Sequence, residues 1–314
     1  VADAAAERLW AEMGKQIKKD PIGSHELVDY LNTSSDFDFE LRTLKMLRQY
    51  GLQCSHSGHY EDPVTKKSRQ FDLRAIKTSS TQAYTNRIRL AVECKNIGDN
   101  FPVLVLCTPR HDSESFHDVV VVTDPKLSSG DIPAFHSRAR AYRMRLEHSI
   151  YKPGSMVGKS TVQVGRSIDG GFTSNDSEVF EKWSQCLSSA TDLVDDIYWD
   201  GKNEKNARFL STVIPIVVIP DGRLWVVEYS DDGNRCSDPI QSDRCPCFVG
   251  KEYEVGNKMA STWMSISHIE IMTFSGLESF VSAQLCSDMG PSAFFPIEGI
   301  VEAMHSKFKD AETT

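Results

Sequence analysis

Asp72, Glu93 and Lys95 are the residues whose types and spacing point to chemistry. They fall in two β-type segments, FDLRAIK (71–77) and RIRLAVECK (87–95), joined by a polar connection rich in Ser, Thr and Asn. Side chains alternate faces along a strand, so Glu93 and Lys95 point one way while Val92 and Cys94 point the other. If the segments pair as a hairpin, Asp72 comes to lie beside Glu93 and Lys95. Two carboxylates suit a hard divalent cation, which takes oxygen ligands, and the ammonium adds positive charge beside it. Hydrolysis of a phosphodiester is the chemistry such a set would perform.

The elements around this pair must hold it. Upstream, FDFELRTLKMLRQYGLQC predicts a helix capped by Ser35 or Asp36 and stopped by Gly51, with Phe37, Leu41, Leu44 and Leu47 on its apolar face. Glu40 falls within that arc, an unfavourable place for a carboxylate unless it is paired or ligates something; reaching solvent, or pairing with Arg48, is the blander alternative. A strand over Cys54–Tyr60 and a turn at Glu61-Asp62-Pro63 lead into the hairpin. Phe101–Thr108 and Asp118–Thr123 read as buried strands, and SRARAYRMRLEH (137–148) as a helix. Ser177–Trp199 predicts a long helix with Val179, Trp183, Cys186, Leu187, Ala190, Val194 and Ile197 on one stripe; Lys182 and Gln185 flank it as boundary residues. STVIPIVVIPDGRLWVVEYSDDGN reads as a hairpin turning at Pro220-Asp221-Gly222. Residues 3–19, the segment HELVDYLNT, Leu277–Leu285 and Ile297–Phe308 read as helices, and Ser267–Phe274 as a strand. The expected organisation is one α/β domain over 1–314, with a helical N-terminal extension at 1–34 and an insertion at about 109–176.

Composition narrows the function. With 40% hydrophobic and 25% charged residues in 314, the chain reads as globular. No apolar run is long enough to span a bilayer, and the strongest, Val213–Ile219, is broken by Pro215. The start, VADAAAERLW, lacks the basic residues and apolar stretch of a secretory signal; its lack of Met implies processing or a boundary ahead of Val1. Eight scattered Cys suggest reduced thiols and a cytoplasmic location. A net charge of −9 argues against a protein that coats nucleic acid nonspecifically. The basic residues are nevertheless clustered: Lys66, Lys67, Arg69, Arg74, Arg87 and Arg89 flank the hairpin, and Arg138, Arg140, Arg143, Arg145 and Lys152 form a second group. Such runs are solvated faces or grips on a phosphate backbone.

Other constellations are weaker. Gly154-Ser-Met-Val-Gly158-Lys159-Ser160 has three residues between its glycines where a P-loop needs four, which argues against an NTPase and leaves Lys159 as a phosphate contact. Cys236, Cys245 and Cys247 are poorly spaced for structural zinc, and a fourth ligand, His268 or Cys286, has to be guessed, so thiols in a loop are the favoured reading. His25-Glu26 lacks the second His of a zinc-protease helix.

The stretch from Phe39 to Lys95 resembles the PD-(D/E)xK nuclease superfamily, the fold of many restriction endonucleases. The parts that carry the resemblance are a helix bearing Glu40, a strand, a turn with Asp62-Pro63, a strand bearing Asp72, and a strand ending in Glu93-Cys94-Lys95; Phe71 stands where the motif has Pro. The resemblance implies a restriction-endonuclease-like α/β core, a central mixed β-sheet flanked by helices. It further implies a Mg²⁺-dependent endonuclease, with Mn²⁺ able to substitute. Asp72 and Glu93 would be metal ligands together with the Cys94 carbonyl, Glu40 an accessory ligand, and Lys95 the group that activates water or stabilises charge. DNA is favoured over RNA as substrate, with Lys66, Lys67, Arg69, Arg74, Arg138, Arg140, Arg143 and Lys159 as nucleic-acid contacts. A general likeness to bacterial genome-defence (antiviral) nucleases, and an acidic chain with only local basic patches, suggest a homo-oligomer or an activating protein partner. The alternative is a catalytically inactive nuclease-fold module that binds nucleic acid or a protein.

Overall fold

The computed structural model describes residues 20–33, 35–62, 65–81, 84–123, 139–175, 177–203, 208–255, 262–287 and 290–312. The helix expected over 3–19, Pro63 of the expected turn, and Arg138 lie outside the described residues. The chain divides into two units, Val1–Ser35 and Asp36–Thr314. In the first, α1 (Ser24–Thr33) begins where the Gly23 N–H donates to the Glu26 carboxylate at 2.9 Å.

The second unit opens with α2 (Phe37–Gln49), stopped by Gly51 in the left-handed region at φ 76°, which glycine adopts without a Cβ penalty. β1 (Gln53–His56), the small hairpin of β2 (His59–Glu61) and β3 (Ser68–Gln70), β4 (Leu73–Ser80) and β5 (Thr85–Cys94) follow. Next come β6 (Val103–Pro109), β7 (Phe116–Thr123), β8 (Ala139–Arg145), β9 (Met156–Arg166), β10 (Phe172–Asn175) and the long helix α3 (Ser177–Asn203). After it run β11 (Arg208–Ile219), β12 (Leu224–Glu228), β13 (Ile240–Gln241), β14 (Arg244–Val255) and β15 (Thr262–Thr273). α4 (Phe274–Phe280), a π-helical turn at Val281–Leu285, α5 (Gly290–Phe294) and α6 (Ile297–Glu312) complete it.

The fold is α/β, with a large mixed central sheet flanked by helices. Among the described residues thirteen strands form that sheet, in the order β1-β4-β5-β11-β15-β14-β9-β6-β12-β13, with β7 joining β11 to β8 and β10 attached to β9. β1, β4 and β5 form an antiparallel meander, and β11 runs parallel to β5 over Phe209–Val218. β11 is the central strand, buried from Phe209 to Ile219, as its apolar run requires. Phe209, Val213, Val217 and Ile219 pack on the face covered by α3; Leu210, Ile214, Ile216 and Val218 pack on the opposite face, with α2, α4 and α6.

Pro215 is tolerated in this strand for a specific reason. The Lys95 N–H donates to Val218 O at 2.9 Å, so the backbone groups of even-numbered β11 residues face β5 and Pro215 faces away. On that far side β7 pairs only with Arg208–Ser211 and β15 only with Ile216–Ile219, so the missing N–H falls in the gap between them.

Four expectations are corrected. The basic stretch read as a helix is β8, paired antiparallel with β7; Ala139, Ala141, Tyr142 and Met144 are buried, and the pairing overrides the helix propensity of Ala, Arg and Met. The Gly-Lys-Ser segment is no loop but part of β9, where a Cβ on Gly158 would lie 2.5 Å from Cys247 Sγ. β11 and β12 turn at Pro220 yet do not pair, because β12 pairs with β6 in parallel. The buried side of α2 is Phe39, Thr43, Leu44, Met46 and Leu47, while Phe37 and Leu41 are exposed.

Candidate functional site

The register of β4 and β5 brings the two carboxylates together. Leu73 lies opposite Val92, which sets Asp72, the residue just before β4, beside Glu93, the penultimate residue of β5. The Cys94 N–H donates to Asp72 Oδ2 at 2.8 Å and fixes that carboxylate on the end of the sheet. Glu93 points to the face covered by α3, is fully buried, and neither of its oxygens meets a donor at hydrogen-bond distance. Burial first and the Asp72 charge second push its carboxyl well above the ordinary range.

Lys182 of α3 closes the site from above. Its Nζ lies 2.7 Å from Asp72 Oδ2, 3.6 Å from Glu93 Oε2 and 3.9 Å from Asp36 Oδ2. Burial by itself would lower the Lys182 pKa; the Asp72, Glu93 and Asp36 charges outweigh it, and the net shift is upward. Asp36, at the start of α2, does not cap the helix with its side chain. Its Oδ1 accepts the Asn96 N–H at 2.7 Å, and its Oδ2 lies 3.6 Å from Lys95 Nζ. One carboxylate therefore draws Lys95 and Lys182 to the same corner. Asp36 and Asp72 face two lysines, and ionising Glu93 as well would leave the cluster one positive charge short.

Glu40 is turned elsewhere. It binds His56 Nε2 at 2.9 Å, both side chains being largely buried, and its pKa is raised by burial and by Asp72. Among the described residues no three His, Cys, Asp or Glu side chains form a group able to enclose a metal ion, so Glu40 does not complete a three-ligand set with Asp72 and Glu93. The residues at hand still fit a cation. Glu93 has two buried oxygens without donors, and one ammonium already sits within ion-pair reach of both carboxylates.

The basic residues expected to grip nucleic acid are mostly engaged within the chain. Arg74 donates to Asp192 Oδ2 at 2.7 Å and to Ser189, and lies over the Phe71 ring at 4.2 Å, tying β4 to α3. Arg69 pairs with Asp62 and Lys66 with Glu61. Arg87 and Arg89 both pair with Asp200. Arg143 pairs with Asp118, and Lys159 with Glu114. Arg140 is half-buried on β8 beside Tyr142, and Lys67 is exposed. The zinc alternative does not assemble. Cys245 and Cys247 are buried on β14, with Cys245 Sγ 3.6 Å from Cys107 Sγ, whereas Cys236 is exposed, and His268 is bonded to Arg110.

Sequence reasoning missed Asp36 and Lys182 as members of this site. Lys182 carried a signal: it is three residues after Val179 and four before Cys186, both fully buried, and so lies on the core-facing stripe, where a lysine needs a buried partner. No described helix is long and apolar enough to cross a membrane. No protein-family model, no curated protein and no solved structure matches this chain.

Proposed function

We propose that this chain is a divalent-cation-dependent nuclease that hydrolyses phosphodiester bonds in DNA, with Mg²⁺ as the working ion and Mn²⁺ as its substitute. One observation carries the reading. Asp72 and the buried, donor-less Glu93 converge on a point already taken by a cationic group, at the end of two interior strands, the second of which Lys95 directly follows. The order of elements supports it: helix α2, the antiparallel strands β1, β4 and β5 and, after the intervening β6–β10, helix α3 and the parallel strand β11 surround the pair, as a restriction-endonuclease-like core would require.

Asp72 and Glu93 would hold the ion, which supplies Lewis acidity to a phosphoryl oxygen and lowers the pKa of water at the site. The chain's own residues do the rest. The Cys94 N–H orients Asp72, and β11 with α3 keeps bulk water from Glu93. Lys95, anchored through Asp36, sets positive charge where a phosphate would gain negative charge. The test is cleavage of plasmid, linear and single-stranded DNA, and of RNA, with Mg²⁺, Mn²⁺ or EDTA. Metal-dependent cutting that disappears in Asp72→Asn and Glu93→Gln is expected; undiminished cutting by both variants overturns the reading.

One observation favours a second reading, a nuclease-fold module that docks on a partner without cutting. Arg69, Arg74, Arg143 and Lys159 are neutralised by Asp62, Asp192, Asp118 and Glu114 of the same chain, which leaves few cations for a phosphate backbone. Under this reading no divalent ion elicits cleavage of any substrate in the panel.

A further inference from the structure

We propose that Lys182 is the resident counter-ion of the Asp72–Glu93 pair, and that loading of a divalent cation is an exchange in which this ammonium is displaced. The inference rests on the reading of the pair as a cation site, and concerns how that site is regulated.

Geometry makes the two cations mutually exclusive. Lys182 Nζ is 2.7 Å from Asp72 Oδ2 and 3.6 Å from Glu93 Oε2. An ion bound to both carboxylates would have oxygen distances of about 2.0–2.6 Å and would occupy the same space. Lys182 reaches the pair from α3, an element separate from the strands that carry the carboxylates. That helix is held without its help: Val179, Cys186, Leu187 and Ala190 are buried against the sheet, Arg74 binds Asp192 and Ser189, and Tyr60 OH donates to Gln185 O at 3.2 Å. The four-carbon stem can therefore swing out while the helix stays. Asp36 Oδ2, 3.9 Å away, offers a carboxylate on the outward path. In the metal-free chain Lys182 supplies the charge that Glu93 lacks from any hydrogen-bond donor, so the site stays folded while empty and selects for ions able to outcompete an ammonium.

The experiment is Mn²⁺ binding by titration calorimetry on the full chain, for wild type, Lys182→Gln and Lys182→Arg, with folding checked by circular dichroism. Lys182→Gln is expected to bind Mn²⁺ at least ten-fold more tightly than wild type, and Lys182→Arg no more tightly. A second measurement uses wild type alone. Lys182 reductive methylation, followed by peptide mass spectrometry, should accelerate several-fold when Mg²⁺ is added. Equal Mn²⁺ affinity in wild type and Lys182→Gln, or methylation unchanged by Mg²⁺ in a chain shown to bind it, overturns the exchange and leaves the cation site standing. Absence of Mn²⁺ binding in wild type and both variants overturns the cation-site reading and the exchange with it.

Discussion

Replacing Glu93 by Gln should make the metal-free protein more stable while removing its response to divalent ions. Glu93 is 0% exposed, its oxygens meet no donor, and its pKa is raised from 4.5, so burial and Asp72 together outweigh the attraction of Lys182. Above pH 4.5 the unfolded carboxyl is ionised, whereas the folded one resists ionisation. Folding stability associated with Glu93 is thus fully present below pH 4.5 and is lost as pH rises through the elevated folded pKa. A neutral amide of the same shape avoids that loss, and its NH₂ can donate to Asp72. A buried polar group left unsatisfied costs about 1–3 kcal/mol, so Glu93→Gln should gain about that much at pH 8 in EDTA and little at pH 4.5. At roughly 2–4 °C per kcal/mol for a domain of this size, the melting temperature should rise by about 2–12 °C. Mg²⁺ should cancel or reverse that gap, since an ion at a hundred times its Kd adds about 2.7 kcal/mol to wild type and nothing to the variant. Thermal unfolding at pH 4.5 and pH 8, with EDTA or Mg²⁺, reads all four conditions. A Glu93→Gln protein less stable than wild type at pH 8 in EDTA would refute the reasoning, because the attraction of Lys182 would then outweigh the cost of burying the Glu93 carboxylate.

Two further predictions concern the scaffold. Arg74→Met should destabilise the chain by about 2–4 kcal/mol in urea titrations, because it leaves Asp192 and Ser189 without their donor and removes the contact over Phe71; a change below about 0.5 kcal/mol would return Arg74 to the pool of exposed cations available to nucleic acid. His117, fully buried with Nε2 2.9 Å from Phe294 O, has its pKa lowered by burial from 6.5 to about 4. Its depressed folded value means that the stability of the neutral ring is present above pH 6.5 and is lost as pH falls towards 4, a change of about 3 kcal/mol. Urea unfolding at pH 7.5 and pH 4.5 should show that loss in wild type and a smaller one in His117→Gln, and equal losses in the two proteins would show that His117 does not set it.

Much of the scaffold was legible because local pattern and tertiary role coincide. The apolar runs of β7 and β11 are buried strands, that of β6 is a strand buried on one face only, with Leu104 and Leu106 half-buried on the other, and the stripe of α3 is the stripe that packs. The paired strands β4 and β5 followed from two β-type runs around a polar connection. Legibility failed where a partner distant in sequence decided the outcome. Residues 139–145 carry helix-favouring Ala, Arg and Met, yet β7 recruits them as a strand. The turn at Pro220 invited a hairpin, yet β12 crosses to β6, 121 residues away at the Leu224–Val103 pair. Asp36 read as a helix cap because caps are local; its oxygens serve Asn96 and the two lysines instead.

The sequence by itself determined that Asp72, Glu93 and Lys95 occupy one end of adjacent strands, because strand alternation and a short connection leave few other places for them. Only the tertiary structure decided what surrounds them. α3 sets Lys182 over the two carboxylates, 110 residues from Asp72. His56, facing Glu40 across 16 residues, draws that carboxylate out of the set. A buried charge takes whichever opposite charge the packing delivers, and which one arrives depends on how a helix lies on a sheet, a relation that no spacing within either element records.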